Sequence, residues 1–306
     1  DLDWALSVQT NTSAIERRCK TLPGRRSIKK ANQAAWLLKA ITCIDLTTLS
    51  GDDTEQRVRR LCQKAKYPVR NDLLEAMEIE PGIIHTGAIC VYHEMVPAAV
   101  SALEGTDIPV AAVSTGFPAG LSPYALRLAE IGESVQAGAK EIDIVISRRH
   151  VLTQNWQALY DEMKAFREAC GDAHVKAILA TGELGTLRNV ARASMICMMA
   201  GADFIKTSTG KISNGSSREA CYLMAKAVWD YKTVTGFKAG IKVAGGIRDS
   251  KDAIRYLVIV NEELGSEWLN PDYFRFGASS LVDDVLKQIK KLKTNAYQSS
   301  YYFPRG

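Results

Sequence analysis

The sequence has no CxxC pair, no HExxH, no GxGxxG after its first strand-like run and no GxxxxGK(S/T). Without clustered cysteine and histidine ligands, a structural zinc site is not expected. Without the glycine fingerprints, neither a dinucleotide-binding first turn nor a P-loop is expected. The seven cysteines, at 19, 43, 62, 90, 170, 197 and 221, are odd in number and scattered. They read as reduced thiols in a cytoplasmic setting rather than a disulfide framework. Long apolar runs are also missing. The longest charge-free stretch, residues 108–126, contains Pro109, Pro118, Pro123, Gly116 and Gly120 and cannot be a membrane-spanning helix. Residues 1–7 show no basic segment leading into an apolar one, so no signal peptide is expected. Excess charge is slight: 39 Lys and Arg against 34 Asp and Glu leave +5 over 306 residues. That is too little to imply nucleic acid, and it suits a small anionic ligand.

What is present is alternation. Short apolar runs at 41–46, 84–92, 109–115, 141–146, 174–180, 202–208, 240–244 and 273–278 read as strands. Helical patterns lie between them at 54–65, 126–137, 155–170, 187–200 and 251–263. Alternating strands and helices imply parallel pairing through crossover helices. Eight such units are what a (β/α)8 TIM barrel requires. An open doubly wound sheet would also alternate, and it is the competing architecture. The expected organisation is an N-terminal helical extension at 1–35, a catalytic barrel at 36–292 and a mobile tail at 293–306.

The informative residues are charges inside apolar strands: Asp45, Asp143, Lys206 and Lys242. Side chains alternate across a strand. In Ile142-Asp143-Ile144-Val145-Ile146 the isoleucines therefore share one face, and Asp143 points into the barrel. A buried charge needs a partner or a shifted pKa, and the two lysines are the natural counter-charges. Two lysines and a carboxylate, with no metal or cofactor motif, fit Schiff-base chemistry. A neutral lysine attacks a carbonyl, a second ammonium nearby disfavours the first lysine's charged form, and the carboxylate moves protons. The residues thus read as a class I aldolase. Asp45 is either a pairing group or a substrate-hydroxyl contact. Cys90 reads as a small buried hydrophobe, and the five tryptophans read as packing residues.

Two late glycine-rich segments suit an anion. Ala244-Gly245-Gly246-Ile247-Arg248 stands at the end of the seventh strand, and Phe276-Gly277-Ala278-Ser279-Ser280 at the end of the eighth. The loops after these strands form the common phosphate site of the fold. Thr209-Gly210-Lys211 offers a third anchor.

These motifs, spread over about residues 34–285, resemble the deoxyribose-phosphate aldolases of the longer animal type. The resemblance is carried by Ala-Ala-Trp-Leu-Leu-Lys-Ala (34–40), Cys-Ile-Asp-Leu-Thr-Thr-Leu-Ser-Gly-Asp-Asp-Thr (43–54) and Thr-Gly-Phe-Pro-Ala-Gly (115–120). Further matches are Glu-Ile-Asp-Ile-Val-Ile (141–146), Ala-Thr-Gly-Glu-Leu-Gly-Thr-Leu (180–187), Asp-Phe-Ile-Lys-Thr-Ser-Thr-Gly-Lys (203–211) and Phe-Gly-Ala-Ser-Ser (276–280). It implies reversible cleavage of 2-deoxy-D-ribose 5-phosphate to glyceraldehyde 3-phosphate and acetaldehyde. Lys206 would be the Schiff-base lysine, Asp143 and Lys242 the proton-relay pair, and Gly245, Gly246, Gly277, Ser279 and Ser280 the phosphate turns. No cofactor, nucleic acid or membrane partner is implied, and a homo-oligomer is allowed.

The sequence departs from that family at two points. Val243 stands where the family has proline, which removes a fixed φ beside Lys242. His93 follows Tyr92 where the family has Tyr-Pro. Tyr297, Tyr301 and Tyr302 are candidate counterparts of a C-terminal tyrosine that assists proton transfer in some bacterial members. Lys238, in Gly-Phe-Lys-Ala-Gly, imitates the second-lysine motif. It lies four residues before Lys242, roughly 13 Å nearer the strand's N-terminal end, on the side away from the site. Two other functions compete: a Schiff-base enzyme acting on another phosphosugar, and a barrel that binds a sugar phosphate without turnover.

Overall fold

Eight short strands pair in sequence order, all parallel, and the eighth closes on the first. They are β1 (Ile44–Thr47), β2 (Ala88–Tyr92), β3 (Val110–Ser114), β4 (Glu141–Val145), β5 (His174–Ile178), β6 (Phe204–Lys206), β7 (Gly240–Ala244) and β8 (Phe274–Ala278). This computed structural model describes residues 1–26, 28–297 and 299. The open doubly wound sheet is thereby excluded, and the TIM barrel expected from the alternation is present.

Strand parity sorts the side chains. Ile89, Val91, Ile142, Ile144, Val175, Ala177, Ile205, Ile241 and Val243 face outward and join the main core under the helices. Their neighbours face the barrel axis. Cys90, Ala111, Val113, Val145 and Ile178 form a separate inner apolar cluster with Phe117, flanked by Leu49 and Tyr92. Burial of both faces is what makes these strands read as continuous apolar runs.

The outer helices start where side chains can satisfy their free N–H groups. Thr186, Ser217 and Asp249 cap helices Leu187–Met199, Arg218–Thr235 and Ser250–Leu264 by accepting from Asn189, Ala220 and Asp252. Each such cap is worth about 1 kcal/mol. The cap positions also set where each loop above the barrel ends.

Before β1 come helices Leu2–Leu6, Thr12–Thr21 and Lys30–Thr42. The first two lie on the outer helices of the late half. Trp4 stacks on Tyr231 with ring centroids 5.8 Å apart, Arg192 donates to the Leu6 carbonyl at 2.8 Å, and Arg18 pairs with Glu263 at 2.8 Å. The third runs through the 35/36 junction where the sequence divides extension from barrel.

Strand ends differ from the sequence expectation. Ile41 and Thr42 finish a helix rather than start β1, and β2 begins only at Ala88. Leu179 and Ala180 leave the ladder, and Ala180 takes a left-handed φ of 55°. Buried loop residues are as apolar as strand residues, so composition alone cannot mark the last ladder bond. The final helix ends at Thr294 inside the segment expected as a tail. Tyr297 is described there, with Lys291 Nζ donating to its hydroxyl at 2.7 Å, whereas Tyr301 and Tyr302 lie outside the described residues.

Gly240 pairs with Phe204 across β6 and β7, and a Cβ there would lie 2.3 Å from the buried ring. The ring is buried, with the Arg275 guanidinium carbon 5.8 Å from its centroid. Gly240→Ala should therefore lower unfolding stability by about 1–3 kcal/mol, the usual cost of overpacking. Urea denaturation measures it, and an unchanged midpoint would show that the ring relocates freely.

Candidate active site

The inward positions of six strands are occupied by ionisable groups. Asp45 comes from β1, Glu141 and Asp143 from β4, Lys176 from β5, Lys206 from β6, Lys242 from β7 and Arg275 from β8, and all are buried. All three carboxylates thus sit on the first four strands, and all four cations on the last four. β2 contributes the Cys90 thiol, and β3 contributes only Ala111 and Val113.

Asp143 is the centre of this network. Lys206 Nζ donates to its Oδ2 at 2.6 Å, and Lys242 Nζ donates to the same oxygen at 2.7 Å. Lys176 Nζ donates to Oδ1 at 3.2 Å and also bonds Glu141. Arg275 closes the lower layer, with Nη1 donating to Asp45 at 2.5 Å and Nη2 to Glu141 at 2.8 Å. Two registers bring these groups to matching heights: Asp143 faces Lys176 across β4 and β5, and Lys206 faces Lys242 across β6 and β7. Just above, Thr207 Oγ1 both donates to and accepts from the Ala244 backbone at 2.9 Å, which holds the C-terminal ends of β6 and β7 together.

The charges shift one another. Burial alone raises the Asp143 carboxyl, but Lys176, Lys206 and Lys242 outweigh it and hold the group well below the usual carboxylate range. Burial drives Lys242 down, yet Asp143 and Asp45 more than offset that and keep its ammonium firmly charged. Lys176 is likewise raised by Asp143, Asp45 and Glu141 against the burial effect. Lys206 moves the other way: burial lowers it, Asp143 opposes, and Lys242 adds to the lowering. Burial pushes the Cys90 thiol up to about 11, so it remains protonated.

A cleft of about 240 Å³ opens at the C-terminal ends of the strands. Of the seven interior charged groups, only Lys206 lines it. Gly245, Gly246, Ile247 and Arg248 after β7 form one wall, and Gly277 near the end of β8, with Ser279 and Ser280 just after it, forms another. Thr209, Gly210 and Lys211 complete the rim. Helix Leu281–Thr294 begins here, so its positive N-terminal end faces the cleft. Gly245 and Gly246 adopt φ of 95° and 86°, which side chains resist. The amides of Gly210 and Lys211 are already bonded to Ser208 Oγ and Thr209 Oγ1. That turn therefore offers the cleft its ammonium rather than its backbone.

Comparison with known proteins agrees with this geometry. The model of the DeoC/LacD family aldolases matches residues 39–286. The chain belongs to that family. It is 54% identical to the deoxyribose-phosphate aldolase of Mus musculus and 53% identical to that of Homo sapiens, in each case over 99% of this chain and 96% of the relative. The deoxyribose phosphate aldolase of Aeropyrum pernix, 22% identical, shares the fold with a TM-score of 0.61 over 86% of this chain and 98% of its own.

Within this DeoC/LacD aldolase, Asp45 takes the place of a pairing group. It does not line the cleft; its carboxylate lies 2.5 Å from Lys242, 3.3 Å from Lys176 and 2.5 Å from Arg275. Val243 faces the outer core, and Lys242 keeps both carboxylate contacts without a proline beside it. His93 starts a short turn and lies 3.5 Å from Glu130. Lys238 is outside β7, half-exposed and paired with Glu267 at 2.9 Å. Sequence reasoning missed Glu141, Lys176 and Arg275; a charge inside an apolar run marks Lys176 and Arg275, whereas Glu141 opens its strand next to Lys140 and carries no such mark. It also missed Thr47, Leu49 and Ser50 in the cleft lining. Gly215 carried no local signal; a Cβ there would lie 2.5 Å from the Gly245 carbonyl oxygen.

Removing one partner from a buried ion network leaves charge uncompensated, at about 3–5 kcal/mol. Lys242→Met should lower the stability measured in urea by that amount, while Lys238→Met should leave the midpoint unchanged. The opposite ranking would place the wrong lysine in the network.

Proposed function

We propose that the chain is a deoxyribose-phosphate aldolase working through a Schiff base on Lys206, with glyceraldehyde 3-phosphate and acetaldehyde as products. One observation carries the assignment of the nucleophile. Lys206 alone joins the buried charge network to the cleft, and it is the one interior lysine that burial and Lys242 shift towards its neutral form. The substrate comes from the mouse and human relatives, and the late glycine and serine turns support a phosphate in the cleft.

In this reading the neutral Lys206 amine adds to the C1 aldehyde of the open-chain sugar. The carbinolamine loses water and leaves a protonated imine. The C3 hydroxyl then gives up its proton, the C2–C3 bond breaks, and its electrons neutralise the imine as an enamine. Glyceraldehyde 3-phosphate departs. Protonation at C2 and addition of water release acetaldehyde and restore Lys206. Asp143, hydrogen-bonded to Nζ at 2.6 Å, is placed to take and return these protons, and Lys242 at 2.7 Å from the same oxygen replenishes them. The inner apolar cluster of Cys90, Val113, Phe117, Val145 and Ile178 supports a dry site in which the ammonium form is disfavoured. The phosphate would rest on Gly245, Gly246, Gly277, Ser279 and Ser280, with Lys211 and Arg248 supplying charge. Seven buried, unpaired cysteines support a reducing, cytoplasmic setting.

Borohydride reduction in the presence of acetaldehyde should add an ethyl group to Lys206, located by peptide mapping; a label on Lys211 would refute the assignment. Asp143→Asn should lower kcat by about 10²-fold or more, the usual scale for a general acid–base group. Gly246→Asp should raise KM for the phosphorylated sugar far more than KM for deoxyribose. Equal losses on the two substrates would reduce the turn to a structural element.

A further inference from the structure

The interior charges do not cancel if every group is ionised. Asp45, Glu141 and Asp143 supply three negative charges, whereas Lys176, Lys206, Lys242 and Arg275 supply four positive ones. The other buried charges, Arg127 and Glu162, pair with each other at 2.9 Å away from this network. The balance closes when one lysine is neutral. Lys242 contacts two carboxylates, Lys176 three and Lys206 only Asp143. Lys206 is therefore the lysine that gives up its proton at the smallest cost.

We propose that Lys176 and Glu141, neither of which lines the substrate cleft, are positioning residues whose opposed charges set the protonation of Lys206. The inference rests on Lys206 being the Schiff-base lysine. Lys176 acts through Asp143, whose Oδ1 it holds while Lys206 shares Oδ2. With the Lys176 charge gone, the interior is one negative charge in excess when Lys206 is neutral, and Lys206 retains its proton to higher pH. With the Glu141 charge gone, the excess is positive and Lys206 loses its proton at lower pH. The remaining groups around Lys206 are Asp143, Lys242, the protonated Cys90 thiol, and Lys211 and Arg248 on the cleft rim. The single substitutions leave all of these in place. Glu141 also borders a second cavity, of about 450 Å³, at the opposite mouth of the barrel with His85 and His174. Water can reach a glutamine there.

The test is the pH dependence of ethyl labelling of Lys206 by acetaldehyde and cyanoborohydride, followed by mass spectrometry of the Lys206 peptide. It is run on the intact protein and on Lys176→Met, Glu141→Gln and the double variant. Relative to the unaltered protein, the labelling midpoint should move up by about one pH unit or more in Lys176→Met and down by a similar amount in Glu141→Gln. It should return close to the starting value in the double variant, which restores the balance. A merely structural role predicts slower labelling without opposite shifts. Shifts of the same sign, or none, with the label still on Lys206 would overturn the proposal. Absence of label from Lys206 in the unaltered protein would instead overturn the Schiff-base reading. Should Lys176→Met fail to fold, Glu141→Gln and the double variant decide, because the double variant leaves no unmatched charge.

Discussion

Seven ionisable groups must share the inside of one barrel, and the rest of the structure follows from the need to neutralise them. A charge moved from water into such an interior costs several kcal/mol unless it meets an opposite charge in good geometry. No single strand supplies that geometry. Asp143 on β4 finds its partners on β5, β6 and β7, and Arg275 on β8 reaches back to β1 and β4. Closure of the sheet is thus a condition of burying any of these groups. The network is a poor source of net stability, since well-packed apolar residues commonly do as well. Stability comes from the outward strand faces and the helices over them, and the polar interior is retained for chemistry.

The same division explains the site. Most of the network is sealed from the cleft, and Lys206 is the point at which the two meet. Above it the chain relies on backbone. Gly245 and Gly215 approach too closely for side chains, so the loops after β6 and β7 can touch. Gly277 leaves room for the stem of Lys242, whose Cε would stand 3.2 Å from a Cβ at that position. Glycines here let the loops meet and clear space for the lysine beneath them.

The barrel was legible because a 2-residue strand period and helical stretches alternate eight times, and both signals are local. Asp143, Lys206 and Lys242 were legible for a related reason: a charge among isoleucines and valines has no innocent position on a strand buried on both faces. Lys176 and Arg275 obey that rule equally, but the pairing of all these groups crosses strands, so local spacing does not tell how many charges the interior holds. Asp45 was ambiguous in sequence since one aspartate can serve a lysine or a hydroxyl. Its contacts with three cations could come only from three-dimensional pairing. The strand ends escaped because Leu179, Ala180 and Ile41 are buried whether or not they bond in the ladder.

The segregation of acids to β1 and β4 and bases to β5–β8 makes the barrel an internal heterodimer. Its two seams are the places where opposite signs first meet: Asp143 beside Lys176 at β4 and β5, and Asp45 beside Arg275 at β8 and β1. Each half alone would enclose charge of a single sign, so neither can form a stable closed half-barrel by itself. Two copies of the same half, joined as a symmetric barrel, would compound that excess rather than cancel it. Cut between β4 and β5, the chain would yield two fragments of opposite interior charge, each complementary to the other in sign and not to itself.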